Sequence, residues 1–240
     1  MNQEISPSNQ NFTPLKNSPT PLYSSHKFHN SILNEHLLGE VFLWEKTLLL
    51  SVFVFIIIFG YQYLISGKYS LYSINSAIAS TSMILIGLSF ALSGICYFWN
   101  FADSKIIYRK YLGIVGFAFA ASHSILSFFL YPKGSPLAYF LSDSRVVPFF
   151  FGVSALLILL MMTLISNRFS IQKLGGKLWR NLLHLGYLAY FFVILHIIFL
   201  NADSFKKILP PTFFIIIILA ILVLLLRFAL YLKTRKTINS

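Results

Sequence analysis

Ser, Pro, Asn and Gln dominate residues 1–40 with no helical periodicity, and beyond Trp44 the chain alternates between long apolar runs and short polar breaks. Six runs follow, at Leu48–Ile65, Ile74–Phe98, Tyr111–Tyr131, Val146–Ser166, Leu178–Leu200 and Pro210–Leu232. Each has roughly twenty residues, and at ~1.5 Å rise per residue that is enough to cross a hydrocarbon core of ~30 Å. The pattern predicts an all-α, polytopic membrane protein: a bundle of six transmembrane helices within residues 41–235, preceded by a disordered polar tail at residues 1–40. The tail does not read as a secretory signal. Such a signal opens on basic residues and a short apolar stretch, whereas the first apolar run here is late and long enough to stay in the membrane.

Composition agrees. Of 240 residues, 57% are hydrophobic and 11% charged, and the mean hydropathy is +0.73, against roughly a quarter charged in ordinary soluble domains. A net charge of +12 would suggest nucleic acid in a soluble protein. Here the basic residues fall between apolar runs, where anionic lipid headgroups are the natural partner and nucleic acid is not. The single cysteine, Cys96, lies inside an apolar run, so no disulfide framework is expected.

Lys46, Lys105, Arg109, Lys110, Arg168, Lys173, Lys177, Arg180, Lys233, Arg235 and Lys236 fall on one side of the predicted bundle, and Lys68, Lys133, Arg145, Lys206 and Lys207 on the other. Eleven against five predicts that both termini are cytoplasmic. Trp44, Trp99 and Trp179 all fall at the same cytoplasmic edge, as interfacial indoles do. The seven acids (Glu4, Glu35, Glu40, Glu45, Asp103, Asp143 and Asp203) lie in the tail, at its junction with the first run, or between runs. Proton-coupled carriers usually keep a carboxylate within the bilayer, so this distribution counts against a transporter.

The predicted spans do hold histidines: His123 in the third, and His184 and His196 in the fifth, with Arg227 near the inner end of the sixth. Arg227 can snorkel and needs no further role. His123 is about eight residues, ~12 Å, from the outer end of its helix, and His196 about four from the end of its own. Two imidazoles at similar depth on parallel helices can clamp one metal from opposite sides, and haem iron is the obvious candidate. Gly116 and Ala120 share the helical face of His123, and Ala189 stands likewise to His196, leaving space for a flat macrocycle. Taken singly, small residues are explained by helix packing and a membrane histidine by a hydrogen bond to a neighbour. The depth match favours the metal.

His184 lies twelve residues from His196, about 18 Å along and about 120° around a regular helix, so the two cannot point the same way. It is a candidate ligand of a second haem, and equally an interfacial histidine among headgroups. Arg109, Lys110 and Arg180 can pair with haem propionates, though the charge bias that sets orientation explains them as well. His26, His29 and His36 in the tail read as solvated. No dinucleotide fingerprint, P-loop, CxxC or nucleophile motif occurs, so no catalytic residue is predicted, and any electron donor is another molecule.

Two stretches resemble a known family: Tyr108-Arg-Lys-Tyr-Leu-Gly113 running into Gly116-Phe-Ala-Phe-Ala-Ala-Ser-His123, and Ser166-Asn-Arg through Leu174-Gly175, Trp179-Arg180 and Leu183-His184 to Tyr187-Leu188-Ala189 and His196. Together they resemble the ferric reductase-like transmembrane domain, and within it the haem-binding membrane subunits of bacterial periplasmic methionine-sulfoxide reductase systems. The resemblance covers the third to fifth spans and the membrane module alone. It implies that His123 and His196 ligate a b-type haem in the inner membrane, with His184 at a second haem or in its surroundings. It further implies FMN or a quinone at the cytoplasmic side, and electrons passing from a cytoplasmic flavin reductase or quinone to a periplasmic reductase partner. The alternatives are the membrane component of a haem-dependent ferric reductase, and a cofactor-free small transporter or assembly factor.

Overall fold

A computed structural model describes residues 23–99, 105–200 and 211–238, apart from the side chains of residues 23–38, 66, 97, 168, 180, 211–212, 230–231 and 233–238. It forms helices α1 (Tyr23–Ser66), α2 (Leu71–Phe98), α3 (Tyr108–Leu130), α4 (Pro136–Phe140), α5 (Val146–Ile165), α6 (Arg168–Leu174), α7 (Gly176–Leu200) and α8 (Pro211–Ile238), with no strand among the described residues. The chain divides into two units, Met1–Val41 and Phe42–Ser240. In the first, helix α1 begins at Tyr23, inside the stretch that composition assigns to a polar tail; residues 1–22 lie outside the described residues, as do the side chains of His26, His29 and His36. All that follows concerns the second unit.

Five helical stretches are long and apolar enough to cross a membrane: Gly39–Ile65, Leu71–Cys96, Tyr108–Leu130, Val146–Ile165 and Gly176–Leu200. They match the first five predicted runs. The first starts earlier than predicted and carries Glu40 and Glu45 at its polar end. In α8 the apolar stretch among the described residues is Phe213–Ala229, shorter than the sixth predicted run, whose first residue lies outside them.

Helix α2 is the hub. More than half of its span (56%) is buried within the protein, against 11–22% for the other four, and it packs against α3, α8 and α7. Its sequence explains this: Ser, Thr, Ala and Gly recur on every side from Ser73 to Gly94, so neighbouring backbones can approach closely where lipid gives no hydrophobic drive for association. A side chain at Gly87 would meet Leu219 of α8 at 2.5 Å, and one at Gly94 would meet Leu226 at 2.7 Å. The central packing unites Met83, Ile86 and Phe90 of α2 with Leu159 of α5, Ala189 and Tyr190 of α7, and Ile216, Ala220 and Val223 of α8. Helix α1 joins mainly through aromatic edges, Trp44 against Tyr111 with centroids 5.0 Å apart and Phe55 against Phe119 at 6.3 Å.

Local signals set the corners. Gly67, at φ 64°, ends α1 with its N–H bonded to the Tyr63 carbonyl (2.8 Å), a left-handed position that suits glycine. The Ser70 hydroxyl then caps α2 by accepting from the Ser73 amide at 3.1 Å. At the far corner Asn167 caps α6 through the Ser170 amide (2.8 Å), and Gly175, at φ 73°, ends it. Trp179 Nε1–H donates to the Ile165 carbonyl (2.9 Å), satisfying one of the unpaired carbonyls at the C-terminus of α5.

Candidate functional site

His123 and His196 stand at the end of the bundle where α3 and α7 finish and α5 begins. Each is held through Nδ1. Asn75 of α2, 0% exposed, accepts from His123 Nδ1 through its side-chain oxygen at 3.0 Å, with its backbone carbonyl a further 3.3 Å contact. The amide nitrogen of Asn75 donates to Ser127 Oγ at 2.9 Å, one turn along α3 from His123. His196 Nδ1 donates to the Pro148 carbonyl of α5 at 2.6 Å. Both partners are acceptors, so both imidazoles carry their proton on Nδ1 and keep the Nε2 lone pair. Among the described residues no hydrogen bond engages either Nε2. A ring oriented by Nδ1–H to a carbonyl or amide oxygen is the usual arrangement of a metal-ligating histidine.

Gly152 makes the His196 contact possible. A β-carbon there would sit 2.9 Å from Nδ1 and 3.1 Å from Cε1 of the imidazole, so only glycine lets the ring reach the carbonyl one turn earlier. Neither Asn75 nor Gly152 stands out in the apolar pattern. Each left a trace nonetheless: an asparagine inside an apolar run must find partners, and Pro148 and Gly152, four residues apart, share one helical face.

Two of the three small residues expected to clear space for a macrocycle, Gly116 and Ala189, do something else. Gly116 is pressed against α2, where a β-carbon would meet Ile86 Cγ1 at 2.7 Å and the Ile86 backbone nitrogen at 3.2 Å, and its carbonyl accepts from Ser82 Oγ at 2.8 Å. Ala189 is fully buried in the central packing. Both serve helix contact, so this part of the expectation is corrected: the helical face of a small residue does not reveal which neighbour it meets.

His184 is not brought to this pair. It lies toward the opposite end, where Arg227 Nη2 lies 3.0 Å from its Nε2. A guanidinium can only donate, so His184 Nε2 accepts and its lone pair is engaged. Arg227 also lies over the Tyr187 ring, 5.0 Å from its centroid. Arg109 is the second residue of α3, and its carbonyl accepts from Ser89 Oγ at 2.7 Å. The side chain of Arg180 lies outside the described residues.

Among the described residues no cluster of three or more His, Cys, Asp or Glu side chains is placed to hold a metal ion. A bare ion with four protein ligands therefore has no site in this region. Two imidazoles suffice where a macrocycle supplies a metal's other ligands.

The described residues form a multi-pass, all-helical membrane protein with His123 and His196 toward one end of the bundle. No family model matches the chain. It is similar to the protein-methionine-sulfoxide reductase heme-binding subunit MsrQ of Agrobacterium fabrum (strain C58), with 32% identity over 117 residues, 48% of this chain. The chain spans about half (52%) of the length of that curated relative.

Proposed function

We propose that this protein is a membrane b-type cytochrome subunit that relays electrons across the inner membrane, with His123 and His196 as the two axial ligands of one haem. The observation that carries the reading is the anchoring of both imidazoles through Nδ1, by Asn75 and by Pro148, with no hydrogen bond to either Nε2 among the described residues. The similarity to a subunit whose name states heme binding supports it. A bound haem would supply one-electron redox chemistry. The chain's own part is to present two neutral nitrogens at fixed depth, to hold each ring by its outer hydrogen bond, and to exclude water with packed helices. In this reading both termini are cytoplasmic, by the excess of Lys and Arg on that side. Electrons enter from a cytoplasmic flavin reductase or quinone and leave to a periplasmic reductase partner. Because the His184 lone pair is engaged by Arg227, one haem per chain is expected.

The test is a reduced-minus-oxidised visible spectrum and a pyridine haemochrome assay on protein purified from haem-supplemented cells. Sharp b-type α-bands at one haem per chain, lost in His123→Ala and in His196→Ala and kept in His184→Ala, are expected. Normal haem content in either of the first two variants, properly inserted, overturns the ligand assignment. A colourless, folded wild-type preparation overturns the cytochrome reading.

A further inference from the structure

The segment joining α3 to α5 is polar at both ends and apolar in the middle. Lys133, Gly134 and Ser135 lead into Pro136-Leu-Ala-Tyr-Phe-Leu141, and Ser142, Asp143, Ser144 and Arg145 follow it. Helix α4 forms within the apolar part, and one of its large residues is covered by the protein. The Phe140 ring stacks on Phe128 of α3 and on Phe149 of α5, with centroids 6.0 and 5.3 Å apart and planes within 14° and 20° of parallel. Held on both sides in this way, Phe140 fixes how α4 is rolled about its axis. The roll leaves Leu137 59% and Leu141 43% exposed. In a loop surrounded by water, two neighbouring leucines so exposed would need another cover.

Two observations identify that cover as lipid. Phe128 and Phe129 of α3 and Val147 and Phe150 of α5 are exposed beside the stack, and they belong to spans long and apolar enough to cross a membrane, each with only 17% of its span buried within the protein. The exposed leucines of α4 continue that lipid-facing surface. The polar groups nearby are those that favour a membrane boundary. The Arg145 guanidinium lies over the Tyr139 ring, 4.1 Å from its centroid, and donates to the Tyr139 hydroxyl. Ser142 Oγ donates to the Tyr139 carbonyl at 2.9 Å. Tyrosine and arginine with an apolar body and a polar tip are at home at headgroup level.

We infer that α4 is an interfacial helix, with Leu137 and Leu141 inserted among the acyl chains of the leaflet at the histidine end and the Tyr139–Arg145 pair among its headgroups. The partner of this face is therefore the bilayer itself. Phe149 follows Pro148, whose carbonyl holds His196, so the lipid contact steadies the turn of α5 on which that ring depends. A soluble protein approaching this end meets Ser142–Arg145 and not the leucine pair. The inference stands independently of the haem reading, since no part of it requires a bound haem.

The test is nitroxide accessibility in full-length protein reconstituted into dioleoyl phosphatidylcholine vesicles. In a Cys96→Ser background, single cysteines are introduced by Leu137→Cys, Leu141→Cys, Ser144→Cys and Phe150→Cys and spin-labelled. Collision rates are then measured with oxygen, which concentrates in the acyl region, and with a nickel chelate, which stays in water. The ratio of oxygen to nickel collisions at positions 137 and 141 should match that at 150 and exceed that at 144 severalfold. Ratios at 137 and 141 equal to that at 144 overturn the inference and leave the leucines facing water, free for a soluble partner. Labels at 137 and 141 that collide with neither reagent overturn it too, because protein, such as a second copy of this chain, then covers the face. Each labelled sample is first required to unfold in dodecyl sulfate as the wild type does, so that a misfolded variant is not read. Adding Phe140→Ala to Leu137→Cys should free α4 from its stack and move the ratio at 137 toward that at 144; an unchanged ratio overturns the part assigned to the stack.

Discussion

Replacing Asn75 by leucine, which is close to it in volume, tests whether the outer end of the bundle is built around His123. The side chain makes two hydrogen bonds from α2 to α3, one accepted from His123 Nδ1 at 3.0 Å and one donated to Ser127 Oγ at 2.9 Å. Hydrogen bonds between transmembrane helices average ~0.6 kcal/mol and reach ~1.7, so losing both should cost roughly 1–3 kcal/mol. Losing an outer hydrogen bond on a metal-ligating histidine costs about 10–100-fold in affinity. The Asn75 backbone carbonyl, 3.3 Å from the same Nδ1, survives the substitution and can hold part of the orientation. Haem affinity should therefore fall only about tenfold, the lower end of that range. Ser127→Ala removes the second bond alone, and should cost about 0.6 kcal/mol with haem affinity unchanged. Stability is read from unfolding in dodecyl sulfate, and affinity from haem titration of the apoprotein. An Asn75→Leu variant with wild-type stability and wild-type haem affinity would refute the reasoning, because a fully buried asparagine would then have no energetic connection to the histidine it contacts.

Gly152→Val should displace the His196 ring from the Pro148 carbonyl and abolish haem binding in a protein that still inserts, as judged by haemochrome content per folded chain; full haem content would show that the ring has another position open to it. Gly116→Val should separate α2 from α3 at a cost of about 1–3 kcal/mol, as overpacking does, seen as unfolding at lower dodecyl sulfate. Trp179→Phe removes the bond to the Ile165 carbonyl and should cost about 1 kcal/mol by the same assay, with no change in haem spectrum. Tyr190→Phe removes a buried hydroxyl with no partner among the described residues, and should leave stability unchanged or raise it.

Much of this protein was legible in the apolar pattern, for a reason particular to membranes. A bilayer-spanning backbone must satisfy its own hydrogen bonds, so helix is forced wherever about twenty apolar residues run together. Five of the predicted runs accordingly reappear as helices, four with nearly the predicted bounds and the first starting well before them. Element ends were less legible, because α1 continues into a stretch whose composition carries no helical periodicity, and because the short helix α6 depends on its Asn167 cap rather than on hydropathy. Helical rise converts residue number into height, which is what singled out His123 and His196 in the sequence.

Rotation and partnership were decided elsewhere. Hydropathy is nearly uniform around these helices, so nothing in the apolar pattern says which way Gly116, Ala189 or His184 turns. Packing settled that: Gly116 was taken by Ile86, Ala189 by the central core, and the His184 lone pair by Arg227, an arginine that sequence alone dismissed as snorkelling. Asn75, Pro148 and Gly152, which hold the two rings, come from helices α2 and α5, and only the tertiary arrangement brings them beside α3 and α7. The sequence by itself determined that the chain is helical, because that follows from length and solvent, though it predicted six spans where five helical stretches among the described residues are long and apolar enough to cross. The tertiary structure decided what each imidazole touches, because that depends on close packing of side chains whose apolar character is the same on every face.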